Sequence, residues 1–214
     1  MHQTVKNLIS IKKELELISD KIPSIIAVSK TFPVSNILPL IEYGHMHFGE
    51  NKVQEALEKW KNIKEQFSQI KLHMIGKLQT NKVKFVLPLF DFIHSLDNEK
   101  LAKKIATEQT KYPNKPKIFI QVNIGDENQK SGINKNDLKN FYNYCNELNL
   151  DIIGLMCIPP VSVKTDIFFK EMTFLKNNLA LPELSMGMSS DYLDATKNFS
   201  TYIRIGSKIF GKRS

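Results

Sequence analysis

Lys30 follows a short unbroken apolar run, Ile25-Ile26-Ala27-Val28, and stands just before Thr31-Phe32-Pro33. Such a run is the pattern of a strand buried on both faces, as in a parallel sheet, and Pro33 ends it. An amine at the carboxyl end of a buried strand is held by a stiff element and partly removed from water. That lowers its pKa and frees it for imine formation. Taken alone, the lysine is more simply a side chain leaving the core for water. Two later stretches shift that balance. Ser185-Met186-Gly187-Met188-Ser189-Ser190-Asp191 and Arg204-Ile205-Gly206-Ser207 both join glycine to hydroxyl donors. Glycine lets the backbone approach an anion, and amide N–H groups opening helices at Asp191 and Ser207 would face it. Either stretch alone reads as a tight turn; together they read as a phosphate cradle. Arg204 stands out against the chain's usage, because 28 lysines accompany only Arg204 and Arg213. An arginine in such a chain marks a place that needs a planar fork of donors.

These groups act together only if the elements carrying them converge. Strand-like segments are expected at 25–29, 47–49, 70–75, 91–95, 117–123, 152–157, 183–186 and 201–205. Helical periodicity covers 4–20, 36–43, 52–67, 81–89, 99–110, 136–148, 165–179 and 191–198, with a last turn after Gly206 and with Asn136 as a cap. Eight β units, each followed by a helix or helical turn, close most simply into a single (β/α)8 TIM barrel with an extra N-terminal helix. An open doubly wound sheet is the alternative. No linker, repeat or low-complexity tract interrupts the chain, so residues 1–214 are read as a single domain. In a barrel the chemistry lies just beyond the carboxyl ends of the strands. Lys30, Gly49-Glu50-Asn51, the His73–Lys82 stretch and Asn123 all fall at those places, and the two serine–glycine stretches fall after strands seven and eight, where barrels commonly bind phosphate.

Composition narrows the function classes. No apolar run reaches the roughly 20 residues of a membrane helix, and no signal peptide is evident, so a cytoplasmic protein is expected. Cys145 and Cys157 lack metal-ligand spacing and read as reduced thiols. The formal net charge is +8. Its lysines are scattered rather than grouped with aromatics, so a solvated surface is favoured over a nucleic-acid face.

A lysine amine, a phosphate cradle and an arginine between them describe a ligand with an aldehyde, a phosphate and a flat ring. Pyridoxal 5′-phosphate (PLP) fits that description. Arg204 at the pyridine nitrogen, as a permanent donor, would leave that nitrogen unprotonated and the ring a weak electron sink; a salt bridge at the barrel rim is the other reading of this arginine.

The chain also resembles a known family, the pyridoxal-phosphate homeostasis proteins (YggS/PROSC-like), which are similar to the barrel domain of bacterial alanine racemase. The resemblance is carried by Ala27-Val28-Ser29-Lys30-Thr31, Phe48-Gly49-Glu50-Asn51 with Val53-Gln54-Glu55, and His73-Met74-Ile75-Gly76 with Leu78-Gln79 and Asn81-Lys82. It continues through Gly154-Leu155-Met156, Ser185–Ser189 with Asp191, and Arg204-Ile205-Gly206 with Phe210-Gly211. It implies that Lys30 forms the Schiff base (internal aldimine) and that Arg204 approaches the ring nitrogen. Ser189 and the backbone of Gly206 and Ser207 would hold the phosphate, with Asn51 and Met186 near the cofactor. Three positions depart from the family pattern: Phe199 replaces a usual glycine, Ser207 a common threonine and Lys52 a frequent tyrosine.

Two functions follow as expectations. A racemase needs one acid or base on each face of the substrate Cα. Lys30 supplies one. The racemase-like partner is a tyrosine on a separate C-terminal domain, and the chain ends at Ser214; His73 is the substitute at hand, though a lone histidine at a strand end is more often structural. A barrel without a covering domain leaves the cofactor open to water, which suits exchange better than catalysis. The expected role is therefore PLP binding in vitamin B6 homeostasis without substrate turnover, with PLP-dependent apoenzymes as partners and neither nucleic acid nor membrane. The alternative is an amino-acid racemase of low activity.

Overall fold

Runs of aliphatic and aromatic residues too short for a helix become strands, and the amphipathic segments between them become helices that cover the outside. The computed structural model describes residues 1–127, 129–160 and 164–211. The strands are β1 (Ser24–Val28), β2 (His47–Glu50), β3 (Lys71–Met74), β4 (Phe92–Leu96), β5 (Lys117–Val122), β6 (Ile152–Cys157), β7 (Glu183–Met188) and β8 (Tyr202–Ile205). Each pairs in parallel with the next, and β8 returns to β1 through Ile25↔Ile203 and Ile26↔Arg204, which closes the barrel. That pairing rules out the open sheet.

The helices on the barrel are α1 (Gln3–Glu16), α2 (Val34–Glu42), α3 (Val53–Gln66), α4 (Val83–Val86), α5 (Glu99–Gln109), α6 (Leu138–Glu147), α7 (Asp166–Asn178), α8 (Tyr192–Lys197) and α9 (Ser207–Phe210). α1 is the addition ahead of β1. It buries Val5, Leu8, Ile11 and Leu15, and Asn7 Nδ2 donates to the Ile209 carbonyl at 2.9 Å, tying the start of the chain to α9.

Several boundaries differ from expectation. The segment 81–89 contains only a 3₁₀ turn (Thr80–Lys82) and the single-turn α4, because Pro88 has no N–H to continue the helical hydrogen bonding past Leu87. The cap of the sixth helical segment is Asn134, whose side chain accepts from the Asn136 N–H at 2.9 Å, rather than Asn136 itself. α1 stops at Glu16, and β7 runs two residues past Met186. Arg213 lies outside the described residues.

Aliphatic residues fill the layer between strands and helices. Inside the barrel the filling is different. Phe92, Phe119 and Met156 form a small cluster with Tyr202, and buried His73, His94, Ser185 and Arg204 share that interior. Tyr202 places its ring within 6.2 Å of both buried imidazoles. Cys145 and Cys157 are free and buried, and burial pushes both thiols up to about 12. Among the described residues no helix is long and apolar enough to cross a membrane.

Candidate functional site

Lys30 lies two residues beyond the end of β1 and is half-buried. The turn that carries it is gripped from behind by α3. Ser29 Oγ donates to Glu50 Oε1 at 2.8 Å, and Trp60 Nε1 donates to the same oxygen at 2.9 Å. Lys59 Nζ donates to Glu50, to Glu55 and to the Ser29 carbonyl, at 3.0, 2.8 and 2.9 Å. Glu55 in turn accepts the Thr31 N–H at 2.5 Å. Thr31 needs that hold. Its φ is 69°, a left-handed conformation that is an outlier for a β-branched residue and that persists only where the surroundings over-determine it. Phe32 then stacks on Phe210, with centroids 4.8 Å apart, so the turn after β1 abuts α9.

A cavity of about 380 Å³ opens at this end of the barrel. Lys30, Asn51, Ser189, Arg204, Gly206 and Ser207 all line it, together with Phe32, Ile75, Ile158, Met188 and Ser190. Met186 does not: it is fully buried within the barrel wall, and its carbonyl accepts the Ser200 hydroxyl at 2.8 Å. Met188, two residues on, is the methionine that reaches the cavity.

The two glycines of the cradle have different reasons. Gly187 has φ +91°, and a Cβ there would sit 2.5 Å from the Ala195 Cβ. Glycine at 187 therefore serves the turn and the packing of α8 against β7. At Gly206 a Cβ would meet Val28 no closer than 3.6 Å, an ordinary contact. The protein's own packing does not demand glycine at 206, and its hydrogen side leaves room in the cavity. The Gly206 N–H and the Lys208 N–H both point to Ser189 Oγ, at 3.3 and 3.5 Å. A hydroxyl and amides converging in this way suit an anion.

Arg204 is 5% exposed. Nη1 donates to the Ser185 carbonyl and to Ser185 Oγ, both at 2.7 Å, and Nη2 donates to the Cys157 carbonyl at 2.8 Å. These partners are neutral oxygens, which is not the rim salt bridge offered as the other reading. Three of the five guanidinium N–H groups are thereby placed, while the residue still borders the cavity. Burial lowers its pKa, and an arginine stays charged regardless.

His73 is buried at the barrel centre, away from the cavity lining. Its Nε2 meets His47 Nδ1 and its Nδ1 meets His94 Nε2, each at 2.9 Å, so both nitrogens are engaged. Sequence reasoning missed this supporting layer. Glu50 was visible only as part of Gly49-Glu50-Asn51. Glu55, Lys59 and Trp60 looked like an ordinary helix, and their i, i+4 and i, i+5 spacing was the available signal. His94 and Ser185 carried no local signal of their partnership, since they come from β4 and β7, three strands apart around the barrel.

Fold and cavity define a parallel barrel with an amine, an arginine and a cluster of serine hydroxyls and backbone amides at the carboxyl ends of its strands. Residues 7–214 match the family model of the alanine racemase N-terminal domain. The chain is 38% identical over 199 residues to the pyridoxal phosphate homeostasis protein of Aquifex aeolicus, covering 88% of this chain and 86% of that protein. It is 36% identical over 200 residues to the Escherichia coli K12 protein of the same name, covering 89% and 86%. PipY of Synechococcus elongatus, solved with PLP bound and without it, superposes with a TM-score of 0.88 at 32% identity, over 98% of this chain and all of PipY. Alanine racemase of Clostridium difficile shares the fold, with a TM-score of 0.73 at 14% identity over 99% of this chain and 57% of that enzyme. The chain belongs to the pyridoxal phosphate homeostasis protein family.

Proposed function

We propose that this protein binds pyridoxal 5′-phosphate through Lys30 and serves intracellular PLP homeostasis without turning over a substrate. The cavity residues fit the group. Ser189 and the backbone N–H groups of Gly206 and Ser207 would take the phosphate, in the room that glycine leaves at 206. Lys30 would hold the aldehyde carbon, and Arg204 would meet the ring nitrogen while anchored by Ser185 and Cys157. Asn51 would flank the ring, and Met186 would only back the wall. When bound, the group supplies an aldehyde for amine exchange and an electron-withdrawing ring.

The observation that carries the carrier reading over the racemase one is the cavity lining. Its polar members among the described residues are Lys30, Asn51, Ser189, Ser190, Arg204 and Ser207. Lys30 is the one general base in that set, and racemisation needs a second on the opposite face. His73, the substitute suggested by sequence, is buried and bonded on both nitrogens. The names of the relatives support the same reading. PLP-dependent apoenzymes are the recipients this role calls for.

Purified protein loaded with PLP should show the absorbance band of lysine-bound cofactor, and borohydride reduction followed by peptide mass spectrometry should place the added mass on Lys30. The Lys30→Ala variant should lose the band. An unchanged band would remove Lys30 as the anchor. Incubation with L-alanine should yield no sustained formation of D-alanine, and continuous turnover would instead establish the racemase reading.

A further inference from the structure

The barrel interior holds a single file of polar side chains that neither the cavity nor the packing of the helices explains. Arg204 Nη1 lies 2.7 Å from Ser185 Oγ, which lies 2.8 Å from His94 Nδ1. His94 Nε2 lies 2.9 Å from His73 Nδ1, and His73 Nε2 lies 2.9 Å from His47 Nδ1. The file thus runs from β8 and β7 across the barrel to β4, β3 and β2. It begins at the cofactor end and finishes at the first residue of β2, on the barrel floor. There His47 borders a second cavity of about 350 Å³, beside Ser24, Gly44 and Met46. His73 stacks on Phe92 at 4.2 Å and His94 on Phe119 at 4.2 Å, so neither ring can turn without breaking a stack.

Each contact in the file has room for one proton, and Arg204 decides which atom carries it. A guanidinium only donates, so Ser185 Oγ accepts from Arg204. The hydroxyl then has one proton to give, and His94 Nδ1 is the acceptor in reach. His94 therefore carries its proton on Nε2 and donates to His73 Nδ1; His73 likewise donates from Nε2 to His47 Nδ1. In the opposite direction Ser185 Oγ would accept twice, and its own proton would lose the only side-chain acceptor shown for it. The groups around the file favour uncharged rings. His94 faces the Arg204 charge, and His73 faces His47, His45 and Lys64; burial is the larger cause in both, and both are held well below the ordinary imidazole value. His47 faces Lys71, which disfavours its cation, and Asp91, which favours it, and it too is lowered, mainly by burial. Tyr202 adds its ring from β8.

We propose that His73 and His94 are positioning residues for Arg204: with Ser185 they form a proton-ordered chain whose direction the guanidinium sets, and which reverses when His47 on the barrel floor takes up a proton. In the reversal one proton is gained in total. His47 then carries N–H on both nitrogens, His73 and His94 each carry theirs on Nδ1 instead of Nε2, and Ser185 keeps its proton but turns it away. Ser185 Oγ then accepts from His94 and Arg204 at once, and two donors compete for the oxygen that steadies the arginine. The chain's order is a property of the cofactor-free protein; its effect on a bound ring rests on the PLP reading above.

Nitrogen-15 correlation spectra of the imidazoles in cofactor-free protein test this directly. At neutral pH, His73 and His94 should both be neutral rings with N–H on Nε2. The Ser185→Ala variant should lose that single tautomer at both rings, including His73, which Ser185 does not touch. Lowering the pH should convert both wild-type rings to the Nδ1–H form with the midpoint of His47. Cationic rings, Nδ1–H at neutral pH, tautomers indifferent to Ser185→Ala, or rings unchanged while His47 titrates would each overturn the proposal. Should the alanine variant fail to fold, the wild-type assignment and titration decide. With PLP added, the cofactor band should shift with the same midpoint. If PLP does not bind at all, it is the cofactor reading that falls, and the imidazole spectra still stand or fail alone.

Discussion

Two residues carry left-handed backbone for different ends. Thr31 adopts φ 69° next to Lys30, and its N–H is held by Glu55, which Lys59 ties in turn to the buried Glu50; an ion-pair network thus keeps strained backbone in place beside the candidate reactive amine. Phe199 adopts φ 64° in the turn into β8, with its side chain 73% exposed. The resemblance had marked this position as one usually held by glycine, and the left-handed backbone is the physical reason. Arg204 nevertheless reaches the cavity, so the turn accommodates phenylalanine and bears the cost of the conformation. Left-handed backbone costs an L-residue roughly 1–2 kcal/mol, and little packing would be lost with an exposed ring. Phe199→Gly should therefore raise stability by about 1 kcal/mol in urea denaturation and leave the cofactor band unmoved. A loss of stability would mean that the ring packs against something of value.

At the scale of elements, α3 and α1 act as clamps on two elements that border the cavity. α3 sends Glu55, Lys59 and Trp60 to the ends of β1 and β2, where Glu50 is fully buried and Lys59 nearly so. Removing one partner of a buried pair leaves an uncompensated charge. Lys59→Met should lower stability by about 3 kcal/mol and weaken PLP binding in an absorbance titration, because the Lys30 turn loses its backing. Equal binding in a folded variant would show that the turn stands without α3. α1 holds the other: Tyr192 donates to Glu14 at 2.5 Å, Lys208 donates to Tyr192 at 2.9 Å, and Asn7 reaches the Ile209 carbonyl. The added helix thus braces α9, whose cap, Gly206, and first residue, Ser207, line the cavity. Asn7→Ala should cost about 1 kcal/mol and speed PLP release in stopped-flow measurements, and an unaltered release rate would make the brace purely structural.

For the molecule as a whole, a barrel filled with neutral imidazoles is sensitive to acid. His45 donates from Nε2 to the His47 carbonyl, and burial brings its pKa down to about 4. Burial holds His73 and His94 well below the ordinary imidazole value too. In each case the unfolded chain binds the proton at a higher pH than the folded one. Stability is therefore fully present above the unfolded value of about 6.5 and is lost as pH falls below it. His45 alone contributes on the order of 3 kcal/mol by the time pH reaches its folded value. The urea midpoint should fall steadily between pH 7 and pH 5 at constant m, and a flat profile there would mean that these rings take up protons in the folded chain as readily as in the unfolded one.

The alternation of short apolar runs with amphipathic segments already specified eight β/α units, because strand and helix periods are local properties of the chain. Lys30, Ser189, Arg204 and Gly206 could be picked out for a similar reason: each stands just after a strand, and parallel barrels gather strand ends at one rim. Closure itself was not local, since nothing in Ile25 or Ile203 announces that they pair. Met186 and Met188 could not be told apart as cavity neighbours, because facing depends on how far β7 runs before it turns. The file from Arg204 to His47 draws on five strands and exists only once the barrel is shut. Hydrogen bonds between residues as far apart as His94 and Ser185 are a consequence of topology, and no window of sequence contains them.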